Sequence, residues 1–189
     1  MTDLQQPGQR GQTSEPVRGM PGGAPQRIFL VGFMGAGKTS IGRSLASELG
    51  FADIDLDREI EFTARASVRQ IFERQGEEAF RDLEHQCLRD VVQKDGVVVS
   101  TGGGTMTFER NRALMAEAGV SVFLHPSFET IVARLTAHGR RSRPLFEDEA
   151  QAQQLFEQRL PDYRLADLEV PIASGETAAE VAARIRFLL

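Results

Sequence analysis

The chain has 189 residues, 41% hydrophobic and 26% charged, an ordinary balance for one globular domain with a buried core. Its net charge of −5 counts against a nucleic-acid partner, and its one cysteine, Cys87, excludes an internal disulfide and a cysteine-rich zinc site. Since the sequence has neither an apolar run of membrane-spanning length nor an N-terminal apolar segment suited to export, we expect a cytoplasmic protein with no membrane partner, and we take it to be a monomer.

The first part of the chain differs in composition from the rest. Residues 1–26 are rich in glycine, proline and glutamine and contain almost no clustered apolar residues. Such a segment buries too little apolar surface to offset the entropy lost on ordering. We therefore predict a disordered N-terminal tail over residues 1–26 and one folded domain over residues 27–189.

The folded region begins by alternating short apolar runs with helical patterns. Residues 28–31 predict a strand buried on both faces, and apolar residues spaced by four over 41–49 predict a helix that ends at a glycine. Residues 51–57 predict a short strand that ends in acidic residues. Residues 67–76 predict a helix that a Ser-x-x-Gln capping box opens and a glycine closes.

The same alternation continues to the end of the chain. A longer helix over residues 80–91 carries its apolar residues on one face, which predicts that Cys87 is a small buried side chain rather than a reactive thiol. The remaining predicted elements are a strand at 97–99 followed by three glycines, a strand at 120–124, helices around 131–135 and 150–160, a strand near 170–173, and a last helix that Thr177 and Glu180 open.

Short apolar strands that alternate with helices favour right-handed crossovers and a parallel sheet covered on both faces. We therefore predict a three-layer α/β/α fold of the P-loop NTPase type with a five-stranded parallel sheet. In such sheets ligands bind beyond the carboxyl ends of the strands. The unusual clusters of glycines and acids in this sequence all follow predicted strands.

Residues 32–39 fit the Walker A pattern, with four residues between the outer glycines, then Lys38 and Thr39. Glycines let the backbone turn its N–H groups toward phosphate oxygens, and the following helix adds its positive end. We expect Lys38 to reach the β- and γ-phosphates of ATP and the Thr39 hydroxyl to ligate Mg²⁺. An accidental glycine-rich turn is the alternative. The predicted nucleotide-binding residues here are Gly32, Met34, Gly35, Ala36, Gly37, Lys38, Thr39 and Ser40.

Two acids follow the second predicted strand. Asp55 and Asp57 are two residues apart, so on an extended backbone they project to the same side. Beside a phosphate site, one can order the hydration shell of a magnesium ion and the other can accept the proton of an attacking hydroxyl. A solvated pair, or a helix cap for Arg58 onward, is the alternative.

Arginines and a glycine triplet complete the set of candidate residues. A kinase for a small acid needs guanidinium groups for the substrate carboxylate and a cation from a closing lid for the transferred phosphoryl group. Composition alone does not select among the arginines. Gly102, Gly103 and Gly104 follow a buried strand, which indicates a backbone that a ligand approaches closely, with an ordinary loop as the alternative.

Taken together, these segments resemble the shikimate kinase family over nearly the whole chain from Arg27 to Leu189. The segments that carry the resemblance are residues 32–39, Asp55-Leu-Asp57, residues 72–81 with Glu84, Gly102-Gly-Gly104, Arg143-Pro-Leu145 and Arg159-Leu-Pro-Asp-Tyr163. The resemblance implies a nucleoside monophosphate kinase-like arrangement with a mobile lid at about residues 138–149. The tail before Arg27 lies outside the family core, and no segment near residues 174–177 matches an adenine-contacting motif.

The resemblance also implies roles for individual residues. Asp57 would bind the substrate hydroxyls and act as the base, and Asp55 would hold magnesium through water. Arg81 and Arg159 would bind the shikimate carboxylate, with the glycine triplet as the floor of the pocket. Arg143 would be the lid arginine that meets the phosphates, which makes it catalytic together with Asp57 and Lys38.

Three further positions would support this site. Glu84 would orient Arg81 from one turn along the same helix. Phe72 and Phe80 would form an apolar wall, with core packing an equal alternative.

The function implied is transfer of the γ-phosphoryl group of ATP, with Mg²⁺, to the 3-hydroxyl of shikimate. The alternatives are another small-metabolite kinase, such as a gluconate kinase, and a nucleotide-binding regulatory module without turnover.

Overall fold

The computed structural model describes residues 25–137 and 148–189. The predicted tail, apart from its last two residues, lies outside the described residues. So do residues 138–147 of the predicted lid, including Arg143. Asp148 and Glu149, which the prediction placed in the lid, are the N-cap and the first residue of a helix.

In the described part of the chain, five parallel strands and seven α-helices alternate, with one 3-10 turn at Thr105–Thr107. The strands are β1 Arg27–Val31, β2 Ala52–Asp55, β3 Val97–Ser100, β4 Val120–Pro126 and β5 Leu168–Ile172. The helices are α1 Lys38–Leu49, α2 Leu56–Ala64, α3 Val68–Val91, α4 Glu109–Ala118, α5 Phe128–Ala137, α6 Glu149–Tyr163 and α7 Ala178–Leu188. Of the described helices, none has both the length and the apolar character needed to cross a bilayer.

The strand order is β2-β3-β1-β4-β5, and every pairing is parallel. Side chains of β1 alternate between two hydrophobic cores: Phe29 and Val31 pack with α2 to α6, whereas Ile28 and Leu30 pack with α1 and α7. The predicted three-layer fold with a five-stranded parallel sheet is therefore confirmed. Because β1 is central and has neighbours on both sides, the loop that follows it lies at the middle of the carboxyl edge of the sheet.

Most predicted elements lie where the sequence placed them. The capping boxes at Ser67 and Thr177 are both formed. Gly76 has φ 84° and ψ 177°, which are not helical values, so α3 consists of two helical parts that meet at this glycine. Cys87 is buried, with 4% of its surface exposed, as predicted.

One predicted element is wrong, and helix α4 is missing from the prediction. The strand assigned to residues 51–57 ends at Asp55, and α2 begins at Leu56, so Asp57 lies in the first turn of a helix rather than on extended backbone. The Asp55 side chain accepts a hydrogen bond from the backbone N–H of Arg58, which is the helix-cap alternative. Helix α4 was not predicted, because only Asn111 and Met115 are buried along it and its apolar periodicity is weak.

Candidate active site

The loops that follow β1, β2 and β3 meet at the carboxyl edge of the sheet. The loop after β1 is the predicted phosphate-binding segment, β2 ends at Asp55, and β3 leads into the glycine triplet. Three clusters that the sequence separates by 20 to 70 residues therefore share one cleft because β2, β3 and β1 are neighbours in the sheet.

Backbone conformations that favour glycine shape the loop after β1. Gly32, Gly35 and Gly37 have φ values of 138°, 79° and 101°. A side chain at Gly32 would also place its Cβ 2.8 Å from the carbonyl oxygen of Leu124, so glycine is needed there for space as well. Since Gly37 is the N-cap of α1 and has no side chain, the first-turn N–H groups of that helix are oriented toward this loop as a ready site for an anion.

Two basic side chains contact the loop. The Lys38 ammonium donates to the carbonyl oxygens of Gly32 and Phe33, at 2.7 and 2.9 Å, and therefore folds back across the segment that contains it. Arg134, on α5, donates to the carbonyl oxygen of Ala36 at 3.0 Å. No sequence motif singled out Arg134, which is far from residues 32–39 in the chain.

Thr39 and Asp55 are joined directly across the cleft. The Thr39 hydroxyl donates to a carboxylate oxygen of Asp55 at 3.0 Å. A hydroxyl and a carboxylate beside a phosphate-binding loop are oxygen ligands of the kind that Mg²⁺ takes, together with water and phosphate. In residues 25–137 and 148–189, no cluster of three or more His, Cys, Asp or Glu side chains could hold a metal ion by itself.

Asp57 lies between the phosphate loop and the glycine triplet. Its side chain reaches solvent, but protein surrounds it on the other sides, and this partial burial raises the pKa of its carboxyl group above the usual 3.8. The nearby Lys38 charge opposes that increase, whereas Asp55, Glu84 and Glu61 add to it. The carboxyl group is thus close enough to Lys38 for the two charges to interact.

The glycine triplet makes room for charged side chains of the protein. A Cβ at Gly102 would lie 3.0 Å from an Asp57 carboxylate oxygen and 3.1 Å from one of Glu84. A Cβ at Gly104 would lie 2.7 Å from an Arg81 guanidinium nitrogen. The close approach of a ligand to this backbone stays a prediction; at these two positions the protein atoms nearest to an added Cβ belong to charged side chains.

Arg81 is held by two carboxylates. It pairs with Glu84 at 3.1 Å, as predicted, and with the more exposed Glu77 at 3.1 Å. Glu84 is fully buried, and its other oxygen accepts a 2.7 Å hydrogen bond from the hydroxyl of Thr105. Since a buried carboxylate is costly unless paired, Arg81 and Glu84 stabilise each other in this position.

Arg159 reaches the middle glycine of the triplet from α6. Its guanidinium donates to the Gly103 carbonyl oxygen at 3.2 Å, and the hydroxyl of Tyr163 donates to the same oxygen. Tyr163 is fully buried, and burial raises the pKa of its phenol to about 12. A Cβ at Gly103 would lie 3.5 Å from the Met34 backbone nitrogen and 3.7 Å from Arg159, so the phosphate loop and this guanidinium flank one point.

Phe72 and Phe80 are in contact, with their ring centroids 4.5 Å apart and their planes tilted by 32°. Phe80 is buried in the core, whereas 36% of Phe72 is exposed. Core packing is therefore confirmed for Phe80, whereas a place for Phe72 in the wall of the pocket stays a prediction.

The structure brings together every predicted site residue that it describes. It also adds residues that sequence reasoning did not single out, namely Thr105, Phe108 and Arg134, and it gives Tyr163 a contact that the motif around it did not specify. Their contacts join positions far apart in the chain, so no local pattern could have indicated them.

Comparison with known proteins agrees with this arrangement. The sequence model of the family described as shikimate kinase matches residues 34–188. A shikimate kinase of Ruegeria pomeroyi is 42% identical over 81% of this chain and 78% of its own length, and one of Parasynechococcus marenigrum is 44% identical over 86% and 85%. The structure of a shikimate kinase from Acinetobacter baumannii in complex with shikimate has a TM-score of 0.79 and 34% identity, covering 87% of this chain and 92% of that one.

These similarities favour the predicted kinase over a gluconate kinase or a regulatory module without turnover. They extend over both halves of the cleft, from the phosphate loop to α7. The chain belongs to the shikimate kinase family.

Proposed function

We propose that this shikimate kinase transfers the γ-phosphoryl group of ATP to the 3-hydroxyl of shikimate, giving shikimate 3-phosphate and ADP, with the residues assigned below. One observation carries the assignment: the phosphate loop and the Arg159 guanidinium both approach Gly103, within 3.7 Å of the point where a Cβ on that glycine would lie. A small acid that occupies this cleft can place its carboxylate against an arginine and a hydroxyl toward the phosphates. The shikimate bound to the Acinetobacter baumannii relative supports the choice of acceptor.

The phosphate end of the site binds the nucleotide. Residues 32–40 surround the phosphates with backbone N–H groups, and Lys38 exchanges its contacts with loop carbonyls for contacts with the β- and γ-phosphates. Thr39 and Asp55 would hold Mg²⁺, Asp55 through water. When bound, the ion neutralises charge on the phosphate oxygens. Arg143 would reach the transferred group from the segment that precedes α6.

Asp57 accepts the proton of the attacking hydroxyl. It lies beside both Lys38 and the glycine triplet, where an acceptor hydroxyl facing the phosphates would be. Its raised pKa brings its basicity closer to that of a useful general base. Lys38 is close enough to limit that rise.

Arg81 and Arg159 bind the carboxylate of the acceptor. Both guanidinium groups contact the glycine triplet, from α3 and α6 respectively. A planar guanidinium can form two parallel hydrogen bonds to a carboxylate, which fixes the orientation of the ring as well as its affinity.

An assay of ADP release with Mg-ATP tests the proposal by comparing shikimate, gluconate and no acceptor. We expect turnover with shikimate alone, and replacing Mg²⁺ with a chelator should abolish it. Faster turnover with gluconate, or equal ADP release without acceptor, would refute it. One chain supplies every residue assigned here, so we also propose that the enzyme acts as a monomer, which light scattering on the purified protein tests. We further propose that it acts in the cytoplasm.

A further inference from the structure

The Arg81 guanidinium is flanked by two aromatic rings. Its central carbon lies 4.9 Å from the centroid of the Phe108 ring and 5.1 Å from that of Phe80. Phe80 precedes Arg81 in α3, so their proximity is partly local. Phe108 lies at the start of α4, far along the chain, so its contact with Arg81 depends on the tertiary fold.

Phe108 has an unusual place for an aromatic residue. It is the N-cap of α4, with φ −99° and ψ 121°, and its side chain makes no capping hydrogen bond. Ser, Thr, Asp and Asn are preferred at this position because their side chains accept a hydrogen bond from the first turn. The ring is half-buried and is a member of neither described hydrophobic core. Helix capping and core packing therefore do not account for a phenylalanine here.

The ion pairs of Arg81 do not by themselves fix the tilt of its guanidinium plane, which the two rings can restrict. Glu84 contacts one terminal nitrogen, and Glu77 contacts the other nitrogens along the opposite edge. Contacts along the edges of a planar guanidinium hold its position, whereas the two ring faces over which it lies limit the directions in which it can tilt. The tilt matters because paired hydrogen bonds to a carboxylate lie in the guanidinium plane.

We propose that Phe108 is a positioning residue for acceptor binding, whose ring holds the Arg81 guanidinium at the tilt in which it receives the acceptor carboxylate. The inference rests on the proposed function, which assigns the carboxylate to Arg81. The attraction of a cation to an aromatic face maintains the contact, and the backbone of residues 102–108 connects the ring to the glycine triplet.

Two variants remove the ring in different ways. Phe108→Leu keeps apolar volume without an aromatic face, and Phe108→Ser replaces the ring with a side chain suited to the N-cap. In both we expect the KM for shikimate to rise roughly three- to tenfold, with kcat and the KM for ATP unchanged. Phe108→Tyr keeps the aromatic face and should retain the normal KM. Phe62→Leu, at a phenylalanine that is 85% exposed on α2, is the matched control.

Phe108→Ser separates positioning from a purely structural role. If the ring only stabilised the fold, the loss would appear as a lower thermal midpoint with an unchanged KM for shikimate, and this result would overturn the inference. The variant also keeps the inference testable if Phe108→Leu does not fold.

A background substitution tests whether Phe108 acts through Arg81. In Arg81→Gln, adding Phe108→Leu should raise the KM for shikimate no further. An equal additional rise would overturn the inference, since the ring would then act independently of Arg81. If Arg81→Gln by itself leaves this KM unchanged, the carboxylate assignment in the proposed function is wrong, and the role of Phe108 is wrong with it.

Discussion

At its phosphate end the cleft is formed by one continuous segment, residues 32–40, whose shape comes from glycines with positive φ. The opposite end, where we propose that the acceptor carboxylate binds, is called the acid end. It is assembled from side chains that lie far apart in the sequence. Arg81 comes from α3, Arg159 from α6, and both contact the triplet that follows β3. The first end is a local structure, and the second is a product of tertiary packing.

The two ends also differ in how charge is held. Lys38 is half-buried and binds backbone carbonyls of its own loop. Arg81 pairs with the fully buried Glu84, whose second oxygen binds the hydroxyl of Thr105. Substitutions at the phosphate end should therefore change chemistry with little effect on folding, whereas some substitutions at the acid end should change both. Three predictions test this difference.

Asp57→Asn, at the boundary of the two ends, should have the largest effect. Because an amide cannot accept the hydroxyl proton, we expect kcat to fall about a hundred- to ten-thousandfold. ADP release measures this, with Asp90→Asn, at an exposed position on α3, as the control. A variant that kept a tenth or more of the normal turnover would remove Asp57 from the role of base.

The raised pKa of Asp57 predicts how kcat/KM and the stability of the fold depend on pH. Since the base must be ionised, kcat/KM of the unmodified enzyme should fall as pH drops through a value above the usual 3.8. A carboxyl group with a raised pKa in the folded state stabilises the fold below its unfolded pKa and loses that contribution as pH rises through its folded pKa. Ionised Asp57 thus disfavours folding at neutral pH, and Asp57→Asn should have a thermal midpoint no lower than that of the unmodified enzyme. A clear drop in that midpoint would contradict the sign of the shift.

Lys38→Met should have the next largest effect and should isolate the phosphate end. Loss of one preorganised charge at the transferred group typically lowers kcat about a hundred- to thousandfold. Methionine keeps an unbranched apolar stem, so the thermal midpoint should change little. Lys94→Met, at an exposed lysine near Glu59, provides a matched control that should affect neither quantity. A large loss of stability in Lys38→Met would show that the phosphate end, too, depends on its charge for folding.

Arg81→Ala and Arg159→Ala should have smaller effects on activity, but they should differ from each other in the free energy of unfolding. Each removes charge-assisted hydrogen bonds to the acceptor, so the KM for shikimate should rise about ten- to hundredfold in both. Arg81→Ala also leaves Glu84 buried without its ion pair, which should lower the free energy of unfolding by about 3–5 kcal/mol. Arg159 is half-buried and binds a carbonyl oxygen, so its loss should cost far less.

Chemical denaturation of the two arginine variants measures that difference. The double variant Arg81→Met with Glu84→Gln removes both charges, and it should recover stability while the KM for shikimate stays high. Equal stability of Arg81→Ala and Arg159→Ala would mean that the buried ion pair contributes nothing, and the proposed difference between the two ends would be lost.

The difference between a phosphate end formed by one segment and an acid end formed by tertiary packing also explains which features of the site the sequence could predict. The phosphate loop is contiguous, so its spacing alone indicated its shape and its ligand. Asp57 was placed on a strand because Asp55 serves as both the strand end and the cap of α2, and a two-residue spacing fits either structure. The contacts of Thr105, Phe108 and Tyr163 join distant parts of the chain, so they follow from the packing of α3, α4 and α6 against the triplet and not from any local pattern.

The position of Tyr163 has an optical consequence. It is the only tyrosine in the chain, and the chain contains no tryptophan, so the intrinsic fluorescence excited at wavelengths beyond the absorption band of phenylalanine comes from this phenol. The phenol bonds to the same carbonyl oxygen as Arg159, and with a pKa of about 12 it stays neutral at working pH. The unmodified protein thus carries a single fluorophore at the acid end of its cleft, and shikimate can be titrated against that signal without any label.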